Sequence, residues 1–379
     1  MAVLVSVKKC EDYSSLKLNS AIDKAIELAG GLKSIISQGD TVLLKPNILS
    51  VASPETAINT HPAVVKSVIE YLKQLKAIPV VAEASGFVAS TDDAFEKSGI
   101  GIACKSEDVE CRSFAKEGFT GIEVQDKEIF EKVYIAKDIL SADVVISLPK
   151  LKTHVQAKYT GAVKNFFGAI PQSQRKFLHR IGTYESLSAG IVDIYSVVKP
   201  DFAIMDAIVS MEGNGPSKGK KNNTGFILAS SDCVALDRVA CKIIGFDNDE
   251  VLHLIKANNR RLGYADFREI EVVGDLIDDA FKKFKKPRIQ GGNVPTFLMD
   301  MAFYFYKREP NIVKNLCVAC GYCQKVCPTS AIIIEEHARI LKKNCIECFC
   351  CYEVCPQEAI ELKRSFLYRM LGKLKKRKE

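Results

Sequence analysis

The sequence lacks the features of a membrane-spanning or secreted protein. It contains no tryptophan, and no run approaches the roughly 18 apolar residues that a membrane-spanning helix needs. The apolar stretch at residues 1–7 is followed by Lys8 and Lys9, and it has no signal-peptide core. These absences predict a soluble protein that works in the cytoplasm.

Excess positive charge is also missing from most of the chain. The net charge is +7, and residues 363–379 carry all of it, with eight basic side chains and one acidic. A neutral body argues against nucleic-acid binding, which requires basic clusters. Apolar residues of this basic tail recur at helical spacing. The tail is therefore either a helix that packs on the body, which we favour, or an interfacial helix that makes a peripheral membrane contact.

What the sequence does contain is cysteine. Nine of the 14 cysteines fall between Cys317 and Cys355. The other five are scattered without paired spacing, as expected of small buried side chains: Cys10, Cys104, Cys111, Cys233 and Cys241. Small secreted domains are often stabilised by disulfides, but this chain has 379 residues and no recognisable signal peptide. The clustered cysteines therefore indicate a metal site.

Eight of the nine clustered cysteines form two copies of the run C-x2-C-x2-C-x3-C-P, which is typical of bacterial ferredoxins. In such runs the fourth cysteine ligates the other cluster. We predict a cluster I quartet of Cys317, Cys320, Cys323 and Cys355, and a cluster II quartet of Cys345, Cys348, Cys351 and Cys327. Each would hold one [4Fe–4S] cluster, and Cys350 is out of register. Zinc is the alternative, but a zinc ribbon needs only two C-x2-C pairs.

Residues 1–280 alternate short apolar runs with helical patterns, which indicates an α/β body in one or two lobes. The apolar runs are continuous, so we expect a mostly parallel sheet with helices on both faces. Strands are predicted at 41–45, 79–82, 142–148, 202–205, 226–229 and 269–273, and a helix from His61-Pro62 to about Lys76. A linker with a short helix follows at 281–309, then a small α+β ferredoxin-like domain at 310–362.

Polar residues follow several predicted strands of the body, at the edge where ligands bind in open α/β sheets. Ammonium, hydroxyl and imidazole groups there suit a carboxylate or phosphate. The alternative is that these lysines merely solvate a loop. We predict that five residues bind a small anionic substrate: Lys45, Asn47, Thr153, Lys164 and Asn165. Five more are predicted to be catalytic: His154, Lys150, Lys152, Asp206 and Glu212. Asp206 and Glu212 alternatively form a site for a hard cation.

Six motifs of the body, followed by a two-cluster ferredoxin, resemble the domain-of-unknown-function family 362 of iron–sulfur proteins. They are KPNIL (45–49), NTHP (59–62), LPKLKTH (148–154), GAVKNFFG (161–168), MDAIVSMEGNGP (205–216) and SSDCVALD (230–237). The resemblance covers roughly residues 1–280 and 310–362. It implies an α/β body whose polar cleft is built from these motifs, and it implies no particular reaction.

The sequence thus predicts an iron–sulfur oxidoreductase that passes low-potential electrons from its ferredoxin domain to an anionic substrate. His154, or else Asp206 or Glu212, would supply protons, and a ferredoxin- or flavin-type protein would donate electrons. The alternatives are a non-catalytic carrier or redox subunit of a larger complex, and a maturation factor that delivers a metal or cofactor. An enzyme should place one cluster beside LPKLKTH, whereas a carrier should show an exposed cluster edge and a shallow, poorly organised body cleft. A maturation factor would show a third metal bound by body residues.

Overall fold

The computed structural model describes residues 2–86, 90–181, 183–275, 284–288 and 308–364. Most of the predicted linker at 281–309, which includes residues 297–306 where its short helix is predicted, lies outside these ranges. So do all but the first two residues of the basic tail. Within the described residues, no helix has the length and apolar character needed to cross a bilayer.

Twelve described strands belong to the body. They are β1 (Val3–Lys9), β2 (Thr41–Pro46), β3 (Ile78–Glu83), β4 (Glu110–Ser113), β5 (Phe119–Glu123), β6 (Lys132–Ala136), β7 (Val144–Leu148), β8 (Lys150–His154), β9 (Lys158–Thr160), β10 (Phe202–Glu212), β11 (Lys220–Ser230) and β12 (Ile270–Gly274). Strands β5 and β6 form a separate antiparallel pair. The other ten form one sheet in the order β12-β1-β11-β10-β7-β2-β3-β4, with β8 paired to β10 and to β9.

The central sheet is mostly parallel, as predicted. Strand β2 runs parallel to β3 and β7, and β10 runs parallel to β7 and β8. Strand β11 is antiparallel to both of its neighbours, β1 and β10. The parallel strands bring their carboxyl ends to one edge, so side chains that lie far apart in sequence meet there.

Helices cover both faces of the sheet. They are α1 (Ser15–Leu28), α2 (Pro62–Gln74), α3 (Thr91–Lys97), α4 (Ile100–Ser106), α5 (Lys137–Ser141), α6 (Ala162–Asn165), α7 (Gln172–Ile181), α8 (Tyr184–Val198), α9 (Cys233–Ile243) and α10 (Leu252–Asn259). Short 3₁₀ turns occur at Pro54–Thr56 and Phe166–Ala169. Helix α2 begins where predicted because Pro62 suits the first helical position and His61 caps it, its Nδ1 accepting the Ala63 N–H at 3.2 Å.

Two hydrophobic cores lie on opposite faces of the sheet, and successive residues of the central strands alternate between them. In β2, Val42 and Leu44 belong to one core and Leu43 to the other. Burying each such side chain contributes roughly 1.5–3 kcal/mol. A strand that is buried on both faces needs apolar residues at every position, which explains the continuous apolar runs.

The structure corrects two predictions about where strands end. Residues 150–154 form strand β8 rather than a loop after β7, and β10 continues to Glu212 rather than ending at Met205. Asp206 and Glu212 therefore lie inside a strand. The polar first half of β11, residues 220–225, was not predicted as a strand. It is a strand because it pairs with β10, and this pairing satisfies its backbone hydrogen-bonding groups.

The cysteine-rich region forms a small α+β module, as predicted. It contains β13 (Arg308–Ile312), a 3₁₀ turn (Lys314–Leu316), α11 (Tyr322–Lys325), β14 (Ile332–Ile334), β15 (Ala338–Ile340), α12 (Cys350–Glu353) and β16 (Ile360–Arg364). Strands β13 and β16 pair, as do β14 and β15. Val326 and Cys350 are buried in one of the body's cores, so the module packs against the body.

Candidate functional site

The cysteines of the two predicted quartets line two separate cavities. The lining of the cluster I cavity includes Cys317, Cys320, Cys323 and Cys355. The lining of the cluster II cavity includes Cys327, Cys345, Cys348 and Cys351. Each cavity therefore combines three cysteines of one run with the last cysteine of the other. Cys350 lines neither, and its side chain is buried in the core shared with the body.

The cavities suit an iron–sulfur cluster better than a single metal ion. Within the described residues, no three His, Cys, Asp or Glu side chains converge closely enough to hold one metal ion. A tetrahedral zinc site would need four sulfurs within about 2.3 Å of one point. Backbone N–H groups of Ala331, Ala338 and Ala359 donate to the sulfurs of Cys327, Cys317 and Cys355 at 3.2–3.3 Å. Such bonds stabilise thiolate charge and tune cluster potential.

Lys45, at the end of β2, is fully buried and forms an ion pair with Glu83 at the end of β3. The Glu83 carboxylate also accepts the Ala84 N–H at 2.8 Å. Burial lowers the pKa of Lys45 and raises that of Glu83, while their mutual attraction opposes both shifts. The structure therefore gives this predicted substrate-binding lysine a carboxylate partner within the protein.

Lys150 is also neutralised inside the protein. Its Nζ lies 2.7 Å from the Asp206 carboxylate and 2.9 Å from the Tyr13 hydroxyl, which in turn donates to Asp206 at 2.9 Å. The backbone N–H of His61 supplies a further bond to Asp206, at 2.9 Å. Two predicted catalytic residues, Lys150 and Asp206, are thus bound to each other in a closed network.

Among the described residues, Lys152 has polar partners but no carboxylate partner. Its Nζ donates to Asn47 Oδ1 and to the Ile58 carbonyl, both at 2.6 Å. Burial, followed by the charges of Lys164 and Lys150, holds its pKa well below the ordinary value. Asn47 is in turn hydrogen-bonded to Asn165, so the structure joins three predicted site residues, Lys152, Asn47 and Asn165.

Lys164, on α6, is only 8% exposed. Among the described residues it has no hydrogen-bond or ion-pair partner, and its Nζ lies 4.9 Å from the centre of the Phe167 ring. Burial, with a smaller contribution from Arg175, lowers its pKa to about 8. The charge of Lys164 lowers the pKa of Lys152, and both lysines lower the pKa of His154, so these predicted residues lie within range of one another's charge.

The imidazole of His154 is held in one tautomer. Its Nδ1 accepts the backbone N–H groups of Gln156 and Ala157, both at 3.1 Å. Burial and the nearby Lys164 hold its pKa well below the usual range. His154 is therefore neutral at pH 7 with its proton on Nε2, which makes it a hydrogen-bond donor and a poor proton donor. Its predicted role as the proton source does not suit this environment.

Three other predicted residues have structural partners. The Thr153 hydroxyl donates to the Gly213 carbonyl at 2.8 Å. The Asn165 amide donates to the Lys45 carbonyl and to Ser147. The Glu212 carboxylate accepts Asn222 Nδ2 and the Lys285 N–H at 3.0 and 3.1 Å. Within the described structure no hydrogen bond or ion pair joins Glu212 to the buried lysines.

Three residues that complete the site were missed by the sequence analysis: Tyr13, Glu83 and Arg175. Tyr13 and Arg175 lie on segments without a recognisable motif. Arg175 is buried on α7 and donates to the carbonyls of Ala84, Ser85 and Ile170, and burial lowers its pKa to about 10. Glu83 did carry a signal, because it directly follows the predicted strand at 79–82 and polar residues at strand ends were otherwise taken as site residues.

Helix α7 contacts both the cysteine module and the lysine site. Lys176 Nζ lies 5.2 Å from the centre of the Phe349 ring, and Phe349 lines the cluster II cavity. One turn on, His179 Nδ1 lies 2.7 Å from Gln156 Oε1, and its ring packs edge-on against Phe167. Helix α7 therefore contacts both the lining of the cluster II cavity and the surroundings of Lys164 and His154.

The family described as "Domain of unknown function (DUF362)" matches residues 42–242, which is more than half of the chain and includes every site lysine. The chain belongs to the DUF362 family. A second match, to the 4Fe-4S dicluster domain, covers residues 309–356 of this DUF362 protein. That match gives the protein an iron–sulfur electron-transfer role and confirms the ferredoxin-type module.

This DUF362 protein is similar to a curated protein and to solved structures. It is 31% identical over 249 residues to a thylakoid-associated protein of Synechocystis sp., covering 65% of this chain and 76% of that one. Among solved structures it is similar to the lactate racemase apoprotein of Thermoanaerobacterium thermosaccharolyticum (15% identity, TM-score 0.41, 64% of this chain and 56% of that one). It is also similar to a structural-genomics protein of Thermotoga maritima (10%, TM-score 0.35, 54% and 52%). It spans about half the length of these two structures, and neither informs the site.

Proposed function

We propose that this DUF362 protein is an oxidoreductase that holds two [4Fe–4S] clusters and reduces a small anionic substrate bound at Lys152 and Lys164. One observation carries the proposal. Among the described residues these two buried cations have no carboxylate partner, whereas Lys45 and Lys150 each have one. Burying an unpaired ammonium group costs several kcal/mol, and an anionic ligand would offset that cost.

The clusters would be held by the two cysteine quartets and would supply single electrons. Cys348 and Cys350 offer a matched test of this assignment because they are near neighbours with different surroundings. Cys348→Ala removes a proposed ligand, so the iron content of anaerobically reconstituted protein should fall to about half. Cys350→Ala removes a core side chain and should leave iron and acid-labile sulfide unchanged. Equal losses in both variants would contradict the quartets.

The chain's own residues suit a carboxylate or phosphate group. Lys152 is held in place by Asn47 and the Ile58 carbonyl, so it can anchor one anionic oxygen without moving. His154 can donate a neutral Nε2–H hydrogen bond. Lys164 is the better proton source, because a pKa of about 8 leaves it protonated at pH 7 and ready to release a proton. We therefore assign the proton to Lys164 in place of His154.

The position of α7 favours an enzyme over a simple carrier. A carrier needs no polar site near its clusters, yet the helix that touches the cluster II cavity through Lys176 also supports the surroundings of Lys164 through His179.

Sulfate binding tests the anion site without knowledge of the substrate. The wild-type holoprotein should bind sulfate in a calorimetric titration, and Lys164→Met should weaken that binding at least tenfold because one of two unpaired cations is lost. Lys105→Met, on the exposed surface of α4, is the matched control and should bind like wild type. Absence of sulfate binding in wild type, or equal binding in all three proteins, would overturn the proposed site.

Substrate reduction itself has a direct readout. Dithionite-reduced holoprotein, freed of excess reductant, should be reoxidised by an anionic acceptor from a panel of 2-oxo acids and unsaturated carboxylates. The recovery of cluster absorbance should be much slower in Lys164→Met than in Lys105→Met. If no acceptor distinguishes the two variants, the protein is better described as an electron carrier.

We further propose a cytoplasmic location, with membrane attachment as the alternative. The Synechocystis relative is named for its association with thylakoids, and residues 363–379 are the part of this chain expected to contact an anionic surface. Deleting them should not change liposome binding if the protein is cytoplasmic throughout. A loss of liposome binding on deletion would support the attachment.

A further inference from the structure

Asp237 closes the motif SSDCVALD (230–237), whose residues take no part in binding the proposed anion. It lies on α9, and its side chain is fully buried. Burial raises the pKa of Asp237 to about 7, and its hydrogen bonds oppose that rise. Among the described residues its partners are three hydrogen-bond donors and no cation. Two of these donors belong to the helix that carries Lys164.

The carboxylate of Asp237 holds the first turn of helix α6. Its Oδ1 accepts the Ala162 N–H at 2.7 Å and the Tyr159 hydroxyl at 2.9 Å. Its Oδ2 accepts the Val163 N–H at 2.9 Å. Ala162 and Val163 are the first two residues of α6. The first N–H groups of a helix have no partner within the helix, so Asp237 satisfies donors that would otherwise be buried and unpaired.

Gly161, directly before α6, allows the carboxylate to approach the helix this closely. A Cβ atom on Gly161 would collide with Asp237 Oδ1 and with the Tyr159 hydroxyl. Glycine is the residue that permits such a close approach of backbone and side chain. The contact between α9 and the start of α6 therefore depends on the residue types at positions 159, 161 and 237 together.

The position of Lys164 depends on how α6 is held. The helix has four residues, which is too short for it to be stable by itself. The ammonium group of Lys164 has no hydrogen-bond or ion-pair partner among the described residues, so no side-chain contact of that kind fixes it. Asp237 holds the start of the helix, and Asn165 holds its end by donating to the Lys45 carbonyl.

We propose that Asp237 is a positioning residue for Lys164: it fixes α6 so that the unpaired ammonium group is in place to bind the anion together with Lys152. This inference rests on the proposed function, in which Lys164 binds the anion. Asp237 itself touches no substrate. A cation that is already in place loses less conformational freedom when the anion binds, so this pre-organisation should raise the affinity.

The test compares two buried carboxylates in the full-length holoprotein. Asp193, on α8, is also fully buried, and it accepts the backbone N–H groups of Ile129 and Phe130 at 2.8 and 2.9 Å. Its other partner is Arg260, and none of these residues belongs to the proposed anion site. Asp193→Asn is therefore the matched control for Asp237→Asn, because each variant keeps the side-chain size and leaves backbone donors with a poorer acceptor.

The first measurement is the pKa of Lys164, from competitive labelling with acetic anhydride over a pH series and mass spectrometry. It should be about 8 in wild type and in Asp193→Asn. In Asp237→Asn it should rise towards the ordinary 10.5, because a loosened α6 lets the ammonium group reach water. Loss of the carboxylate charge alone would lower the pKa of Lys164. An unchanged or lowered pKa in Asp237→Asn would therefore overturn the proposal.

The second measurement is sulfate affinity by calorimetry. Asp237→Asn should bind sulfate about fivefold more weakly than wild type, and Asp193→Asn should bind like wild type. Adding Asp237→Asn to Lys164→Met should weaken binding no further, because Asp237 acts through Lys164. A further loss in that double variant, or equal losses in the two asparagine variants, would contradict the positioning role. If wild type binds no sulfate, the proposed function fails, and the labelling result still decides whether Asp237 positions Lys164.

Tyr159→Phe decides the matter if Asp237→Asn does not fold. It removes one of the three hydrogen bonds to Asp237 and keeps the packing of the ring. The pKa of Lys164 should then rise by less than in a variant that lacks the carboxylate. A pKa of Lys164 in Tyr159→Phe that equals the wild-type value would count against the proposal.

Discussion

Four buried lysines lie near the same edge of the body sheet, and they fall into two pairs. Lys45 and Lys150 each meet a buried carboxylate, Glu83 and Asp206. Lys152 and Lys164 meet amide, carbonyl and aromatic groups instead. The difference teaches that position at a strand end does not define a ligand-binding lysine. What matters is whether the fold supplies the counter-charge or leaves it to be supplied from outside.

The largest expected effect is the loss of a paired lysine. Lys45→Met leaves Glu83 buried without its cation, and breaking a buried ion pair in this way typically costs about 3–5 kcal/mol. The free energy of unfolding from urea titrations should fall by that amount. Adding Glu83→Gln removes the orphaned charge and should recover most of the loss. A double variant as unstable as the single one would show that Lys45 stabilises the fold by packing rather than by charge.

Replacing an unpaired buried lysine should instead stabilise the protein, and the size of this gain should depend on pH. The pKa of Lys164 is about 8 in the folded protein, against an ordinary 10.5. Between these values the unfolded chain binds the extra proton, so wild-type stability rises with pH relative to Lys164→Met. Below pH 8 the full cost of the buried charge, on the order of 3 kcal/mol, is present.

Urea titrations at pH 7 and pH 10 check this. Lys164→Met should be the more stable protein at pH 7, and the gap should narrow as the pH is raised. Lys105→Met should show no such change relative to wild type. A gap that is the same at both pH values would mean that Lys164 is not a buried cation.

The affinity for sulfate should also depend on pH through the protonation of Lys164, with a smaller effect. Deprotonation of Lys164 removes a positive charge from the site, so sulfate binding should weaken about tenfold between pH 7 and pH 9. Bound sulfate should raise the pKa of Lys164, so binding near pH 8 should take up protons. Lys164→Met should bind weakly and independently of pH, and an equally steep profile in that variant would assign the titration to another group.

The smallest expected effect concerns His154, which is polar, buried and neutral. His154→Ala removes the acceptor of two backbone N–H groups, and each lost hydrogen bond contributes about 1 kcal/mol. His154→Asn keeps an acceptor near the same place and should be more stable than the alanine variant. If His154→Asn lost sulfate affinity as severely as Lys164→Met, His154 would be a ligand-binding residue and not chiefly a support for its own loop.

Local patterns predicted part of the fold well. The apolar runs at 41–45 and 79–82 lie within a residue of β2 (Thr41–Pro46) and β3 (Ile78–Glu83), because strands buried on both faces require continuous apolar residues. Strand β8 and the outer halves of β10 and β11 were missed. Their residues are polar, and they are strands because neighbouring backbones pair with them, which a local pattern does not show.

The site was predicted as a set of residues but not as an arrangement. Lys150, Lys152, Lys164 and His154 were selected by position and density, and the structure brings them together. The same selection included Glu212, whose carboxylate is bound elsewhere, and it omitted Tyr13 and Arg175, which have no motif of their own. The role predicted for His154 stays a prediction, and the structure adds that burial lowers the pKa of its imidazole.

By itself the sequence determined the nature of the protein: a parallel α/β body joined to a ferredoxin-type module, with two cysteine quartets implied by spacing alone. Cysteine spacing suffices because most ligands of each cavity come from one short loop. Only the tertiary structure decided which lysines are neutralised, which cavity faces the body, and that α7 contacts both the lining of that cavity and the surroundings of Lys164. Those outcomes depend on distances between elements far apart in the chain. Burial, which the chain acquires only on folding, makes each unpaired charge costly.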